Sequence, residues 1–175
     1  MMKKLLKLRP LNLKPYLAVL GLLILWCSCS TVSGQEKPPR PISVLTAQNL
    51  SFGAFFHGVT GGTVIIDYDG IRSTTGDIIL ANLGYTFFPM IVEVDAEPGY
   101  LVHIMNGPDV NLSGSNGGSM ILHLGDASTG NMFICTAIPP GKTEVRIGGT
   151  LTVGNPGANP AGSYSGSFQV TFIQE

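Results

Sequence analysis

Apolar and polar positions alternate most regularly over residues 143–173. Val145, Ile147, Gly149, Leu151 and Val153 share one parity, and Arg146, Thr150 and Thr152 the other. After a break rich in Pro, Gly and Asn at residues 155–162, the alternation resumes. Tyr164, Phe168, Val170 and Phe172 now stand against Ser165, Ser167, Gln169 and Thr171. Successive side chains of a strand point to opposite faces, so this pattern predicts strands with one buried and one wet face. Two such runs around a turn-rich break predict an antiparallel pair.

The rest of the chain repeats the theme in shorter pieces. Ile42, Val44 and Thr46, then Leu50 and Phe52, predict a first strand broken near residues 47–49. Residues 53–62 read as a loop despite Phe55 and Phe56. Val64, Ile65 and Ile66 form a β-branched strand that ends at Asp69-Gly70, a dipeptide suited to a tight hairpin turn with positive φ. Residues 71–74 and, beyond Gly76, 77–81 follow as strands. A long strand is expected over 85–95, where Pro89 argues for an edge or a bulge. Pro98-Gly99 turns the chain into 100–105. Residues 106–118 read as a Gly/Asn/Ser loop interrupted by Val110 and Leu112, and Met120, Leu122 and Leu124 predict another strand. Residues 132–137 predict one more. No stretch of ten or more residues after the leader keeps a 3.6-residue period. Seven to ten short strands at this spacing predict an all-β fold, a two-sheet antiparallel β-sandwich.

The N-terminus changes the picture. Lys3, Lys4, Lys7, Arg9 and Lys14 precede an apolar run at residues 16–26. A basic segment before a short apolar one reads as a signal peptide, and the run falls short of the roughly 20 residues of a membrane span. The expected organisation is a signal peptide at 1–34, a Pro-rich linker at 35–41 and a β-sandwich domain at 42–175. Small residues before Gln35 offer cleavage after Gly34, while Cys27 and Cys29 offer a lipid anchor in a poorly fitting context after Trp26. Both routes stay open. The leader holds five of the ten Lys/Arg residues and none of the eleven Asp/Glu, so the chain from Gln35 onward carries five cations against eleven acids. So acidic a domain is a poor nucleic-acid binder. Cleavage after Gly34 leaves Cys135 as the lone thiol, which excludes a disulfide framework; its apolar setting (Met132, Phe133, Ile134) reads as core packing.

No candidate site outweighs its structural explanation. Arg72 is the one cation between Arg40 and Lys142, and is expected to pair with Asp67, Asp69 or Asp77 to fix a turn, ahead of recognising an external acid. Gly148-Gly149 inside a strand reads as a bulge or a close backbone contact; no helix follows to make a phosphate cradle. His57, His103 and His123 lack paired ligand spacing, and His123 is expected to face solvent. Asp67-Tyr68-Asp69-Gly70 resembles the start of a calcium loop, but no acidic residue closes it. Gly162-Ser163-Tyr164-Ser165-Gly166 has the outline of a nucleophile elbow with Tyr in place of the Ser. Asp95 and Glu97 read as a solvated turn and not as glycosidase acids, and Tyr68, Tyr85 and Tyr100 as strand packing. The expectation is no catalytic residue, cofactor or metal.

Several of these stretches together resemble a known family. Leu50-Ser51-Phe52-Gly53, Gly62-Thr63-Val64-Ile65-Ile66, Gly70-Ile71-Arg72-Ser73 with Gly76, Val145-Arg146-Ile147-Gly148-Gly149-Thr150-Leu151, and the run from Pro160-Ala161-Gly162 to Phe168-Gln169-Val170-Thr171 resemble the bacterial domain of unknown function 4402. The similarity spans residues 42–173. That family is similar in turn to spore-coat-U-like and fimbrial subunit domains. The resemblance implies an immunoglobulin-like sandwich, exported and non-enzymatic, and supplies no site residues.

The expected function is that of an exported structural or adhesive β-sandwich, a fimbria-like or cell-surface subunit that assembles by strand-edge pairing. Its expected place is the periplasm, outer membrane or cell surface of a bacterium. Its expected partners are further copies or other envelope proteins, with membrane contact only through an anchor at Cys27 or Cys29. The last strand offers an open edge, and residues 37–46 an extended segment to cover it in the same or a neighbouring chain. The alternative is a glycan- or envelope-polymer-binding module with contacts on loops 53–61 and 106–118.

Overall fold

In the computed structural model, which describes residues 37–175, the alternating segments become thirteen strands joined by turns, with no helix among the described residues. The leader, the cleavage position after Gly34 and the candidate anchors Cys27 and Cys29 lie outside the described residues. Pro39–Glu175 forms one compact unit that holds every strand.

The larger sheet is built around β11 (Thr143–Val153). On one side its first half pairs with β6 (Met90–Asp95) and its second half with β3 (Ala54–Ile66). On the other side lies β9 (Ser119–Ala127). The change of partner falls at Gly148, where any Cβ would run into the Ile66 carbonyl oxygen. The expected close backbone contact at Gly148-Gly149 is therefore present, together with a register shift against β9 between Ile147 and Gly149. Outward from this centre, β6 pairs with β1 (Ser43–Gln48) and β3 with β4 (Arg72–Ala81). Beyond β9 come β8 (Val110–Gly114) and β12 (Tyr164–Ser165). These eight strands are antiparallel. A smaller sheet has the order β10 (Met132–Ile134), β7 (Leu101–Asn106), β13 (Val170–Gln174). Two short strands, β2 (Ser51–Phe52) and β5 (Phe87–Phe88), pair with each other.

The two sheets face each other, as the sandwich expectation requires. Val102 and Ile104 of β7 pack in one buried cluster with Val92 and Val94 of β6 and with Val145 and Ile147 of β11. A second cluster joins Val64 and Ile66 of β3, Leu112 of β8, Met120, Leu122 and Leu124 of β9, and Leu151 and Val153 of β11. The smaller sheet lies chiefly over the first cluster and reaches the second through Val170 of β13.

Three expectations are corrected. Residues 164–173 are not one strand paired with β11. Tyr164 and Ser165 sit opposite Gly114 and Ser113 in the larger sheet, and Val170–Gln174 opposite β7 in the smaller one. The chain crosses between sheets, and alternation survives because it reports the face of a side chain and not its neighbouring strand. Residues 53–62 are not a loop but mostly the start of β3, where residues 58–61 bulge out opposite Asp77. Residues 85–95 form two strands: Pro89, with no N–H to donate, separates β5 from β6. The Asp69-Gly70 turn has its positive φ at Gly70 alone (84°), and the Gly70 N–H bonds back to the Asp67 carbonyl.

Candidate functional site

The uncovered half of the larger sheet forms the floor of an open groove of about 930 Å³. Leu112, Met120, Leu122 and Leu151 supply that floor from β8, β9 and β11. They point inward because they occupy the apolar parity of their strands. One wall is Leu50 with β2 and the start of β3, including Phe52, Phe55 and Phe56. The other wall is the segment 159–168, with Tyr164 and Phe168. Leu83 and Tyr85 stand at the rim, 59% and 71% exposed.

Each wall has its own brace. Asn159, the only buried polar residue recorded among the described residues, accepts from the Gly154 N–H and donates to the Ser119 carbonyl at 2.6 Å, tying its loop to β9. The Tyr164 hydroxyl donates to the Pro160 carbonyl at 2.7 Å. Gly166 lies against Leu112, where a Cβ would come 2.8 Å from the Leu112 Cδ2. The stretch with the outline of a nucleophile elbow is thus a crossing packed tightly over β8, and Tyr164 is its strut.

The opposite wall is held by Arg72, and here the expectation is corrected. Arg72 pairs with none of Asp67, Asp69 and Asp77. Its Nη1 donates to the carbonyls of Phe52 at 2.9 Å and Ala54 at 3.3 Å, and its guanidinium lies 4.1 Å over the Phe87 ring. Gly53 leaves room for it: a Cβ there would sit 2.7 Å from Nη1. A planar guanidinium can lie flat on a ring and donate from its edge at once, a fit that a compact ammonium does not reproduce. Backbone carbonyls bear no side-chain signature, so sequence reasoning had no means of finding these partners.

Among the described residues β13 has a ladder with β7 alone, which leaves its other edge without a strand partner. Phe168 and Val170 pack against both clusters, which puts the start of β13 at the boundary between the halves. Of this region Phe168 lines the groove, while at the far end of β13 Gln174 Nε2 donates to the Arg40 carbonyl at 3.0 Å. Phe168, Val170 and Phe172 have the buried parity yet remain half-buried, as expected of inward residues with no cover on one side.

The remaining candidates are dispersed. Asp95 and Glu97 hold Arg40, at 2.9 and 3.4 Å. Asp67 Oδ1 accepts from the Ile71 N–H and so closes the hairpin. His123 is exposed, as expected, with Nδ1 2.7 Å from Asp109 Oδ1. His103 lies on β7 beside Glu175, and His57 near the groove rim. Among the described residues no three His, Cys, Asp or Glu side chains are grouped to hold a metal ion. Cys135 is buried against the Ala96 carbonyl, consistent with core packing. Tyr85 borders the groove, whereas Tyr68 and Tyr100 do not. Residues 53–57, with Leu112 and Ser115 from the second segment expected to carry binding contacts, line the groove.

A family model described as "Domain of unknown function (DUF4402)" matches residues 42–173. Neither a curated protein nor a solved structure matches the chain.

Proposed function

Starting from the DUF4402 family, to which this chain belongs, we propose that the protein is an exported, non-catalytic structural or adhesive subunit. In this reading it sits in the periplasm or at the cell surface and assembles by strand-edge pairing. One observation carries the reading: β13 has a ladder with β7 alone, and Phe168, two residues before it, lines an open groove. An unpaired edge offers backbone donors and acceptors, and a groove beside it offers burial for alternate side chains of an added strand. The other edges are better guarded. β10 and β12 have three and two residues, β4 carries Arg72, Gly76 and Asp77, and β1 has a bulge between Thr46 and Gln48. β13 (Val-Thr-Phe-Ile-Gln) has no charge, no proline and an unbroken register. The fimbria-like character suggested by the sequence belongs to this reading.

The test is light scattering on residues 35–175 over a range of concentrations, repeated without residues 35–46. Oligomers that grow with concentration and disappear on truncation are expected. A monomer in both forms would overturn the reading.

A second reading has its own support. Phe52, Phe55, Phe56, Tyr85, Tyr164 and Phe168 all line the groove, and such rings stack on sugar faces. A glycan- or polymer-binding module would bind there as a monomer, and Tyr85→Ala would weaken binding in a glycan screen without unfolding the protein.

A further inference from the structure

We propose that the outer face of the smaller sheet is an interface between two copies of this chain, a contact separate from the strand-edge pairing above. In β7, Val102 and Ile104 point into the covered cluster, which turns Leu101, His103 and Met105 outward. In β10 and β13, Phe133 and Phe172 point inward and leave Met132, Ile134, Thr171 and Ile173 outside. The register joins these side chains into one surface. His103 lies between Met132 and Ile173, Ile134 is opposite Leu101, and Thr171 is opposite Met105.

A strand with one wet face alternates apolar and polar residues, whereas one buried on both faces is apolar throughout. Leu101-Val102-His103-Ile104-Met105, interrupted only at His103, and Met132-Phe133-Ile134 follow the second pattern. Yet Met105, Met132 and Ile134 are 49%, 55% and 62% exposed, and Ile173 is 39% exposed. The outer face of the larger sheet follows the first pattern. There β11 turns Glu144, Arg146, Thr150 and Thr152 outward, and β6 turns Glu93 and Asp95 outward. One outer face of the sandwich is built for water and the other is not.

The chemistry of the apolar face indicates its partner. Its outward residues include no Phe, Tyr or Trp ring to stack on a sugar. β7, β10 and β13 contain no Lys or Arg to meet anionic lipid headgroups. Its ionisable side chains, His103 and Glu175, lie 3.4 Å from each other. The chain from Gln35 onward has an excess of acid, so like charge opposes contact between copies at the other outer face, where Glu93, Asp95 and Glu144 stand. The nearly uncharged face is the one through which two acidic copies can meet. Each copy exposes roughly 500 Å² there, so a pair hides about 1,000 Å², at the lower end for a specific dimer. The contact is reversible and, because the same patch serves both copies, it stops at two.

The test is light scattering on residues 35–175, with variants on both outer faces. Wild type is expected to dimerise. Ile134→Glu and Met105→Glu, on two strands of the face, each bring a carboxylate into the contact and are expected to weaken it by about tenfold or more. Ile121→Glu, on the outer face of the larger sheet and 45% exposed, is expected to leave the dimer unchanged. All three positions are exposed, so the urea midpoints of the monomeric forms should match that of the wild type. In a second arm, H103C, M132C and I173C chains are oxidised one at a time, while the native Cys135 stays buried. A disulfide-linked dimer is expected for at least one of them and not for I121C, because a two-fold axis through the face sets the residues near it opposite their own copies. A dimer that stops at two and is lost in both face variants supports the face contact and overturns edge pairing. Larger assemblies that shrink in the face variants and yield a linked dimer support both contacts. Larger assemblies that are the same in wild type and face variants, with no linked dimer, overturn the face contact and leave edge pairing standing. A wild type that stays monomeric overturns both; if that monomer binds phosphatidylcholine vesicles and Ile134→Glu does not, the face meets lipid instead of a second copy.

Discussion

The two halves of the sandwich share one central strand and differ in what covers it. Under the smaller sheet, Val94, Val102, Val145 and Ile147 are fully buried. In the groove half Val64 and Ile66 are buried as fully, but Phe52 and Leu112, which line the groove, retain 9% and 8% exposure, and Phe55, Tyr164 and Phe168 stay half-buried. Both faces come from the same alternation along β11, so local pattern does not distinguish them. The width of the opposing sheet does: three strands cannot span the inner face of eight.

That contrast can be broken most sharply by truncating the core on each side. Ile147→Ala is expected to cost about 3–4 kcal/mol, because the covered half cannot collapse around the cavity. Leu112→Ala should cost about 2–3 kcal/mol, since groove residues can relax into the space. Urea denaturation of both variants checks this; equal losses would mean that the groove half is as tightly closed as the other. A smaller effect comes from the groove wall. Asn159→Ala leaves the Gly154 N–H and the Ser119 carbonyl without their partner and is expected to cost about 2 kcal/mol. Hydrogen exchange should show faster opening in residues 154–163 and little change in β7. The smallest effect is that of Arg72→Lys, about 1 kcal/mol, from lost stacking on Phe87 and poorer bonding to the Phe52 and Ala54 carbonyls. If Arg72→Lys proved more damaging than Ile147→Ala, the opposite wall and not the covered core would be the main source of stability.

The sequence was most legible where one residue type answers one physical need. The inward parity of Val145, Ile147, Leu151 and Val153, the close approach at Gly148 and the positive φ at Gly70 all follow from local chemistry. Partnership was harder to read. Tyr164 and Phe172 have the same parity but lie in different sheets, because a side chain's face is set locally and its neighbouring strand is set by the whole topology. Phe55 and Phe56 were read as loop residues because glycines surround them. Those glycines serve the β3 bulge, which leaves the pairing with β4 intact on either side. The groove itself has no motif; it exists because strands distant in sequence leave a space between them.

The central position of β11 also governs when the protein can fold. Its ladders reach back to residues 62–66 in β3 and 90–94 in β6, but β11 itself is made only at residues 143–153. A chain growing from its N-terminus has nothing on which to close either cluster until that strand appears. At about 5–20 residues per second, Val64 and Ile66 wait roughly 4–17 seconds for it after they are made. Over that interval the nascent chain is an unclosed set of apolar strands, exposed to aggregation.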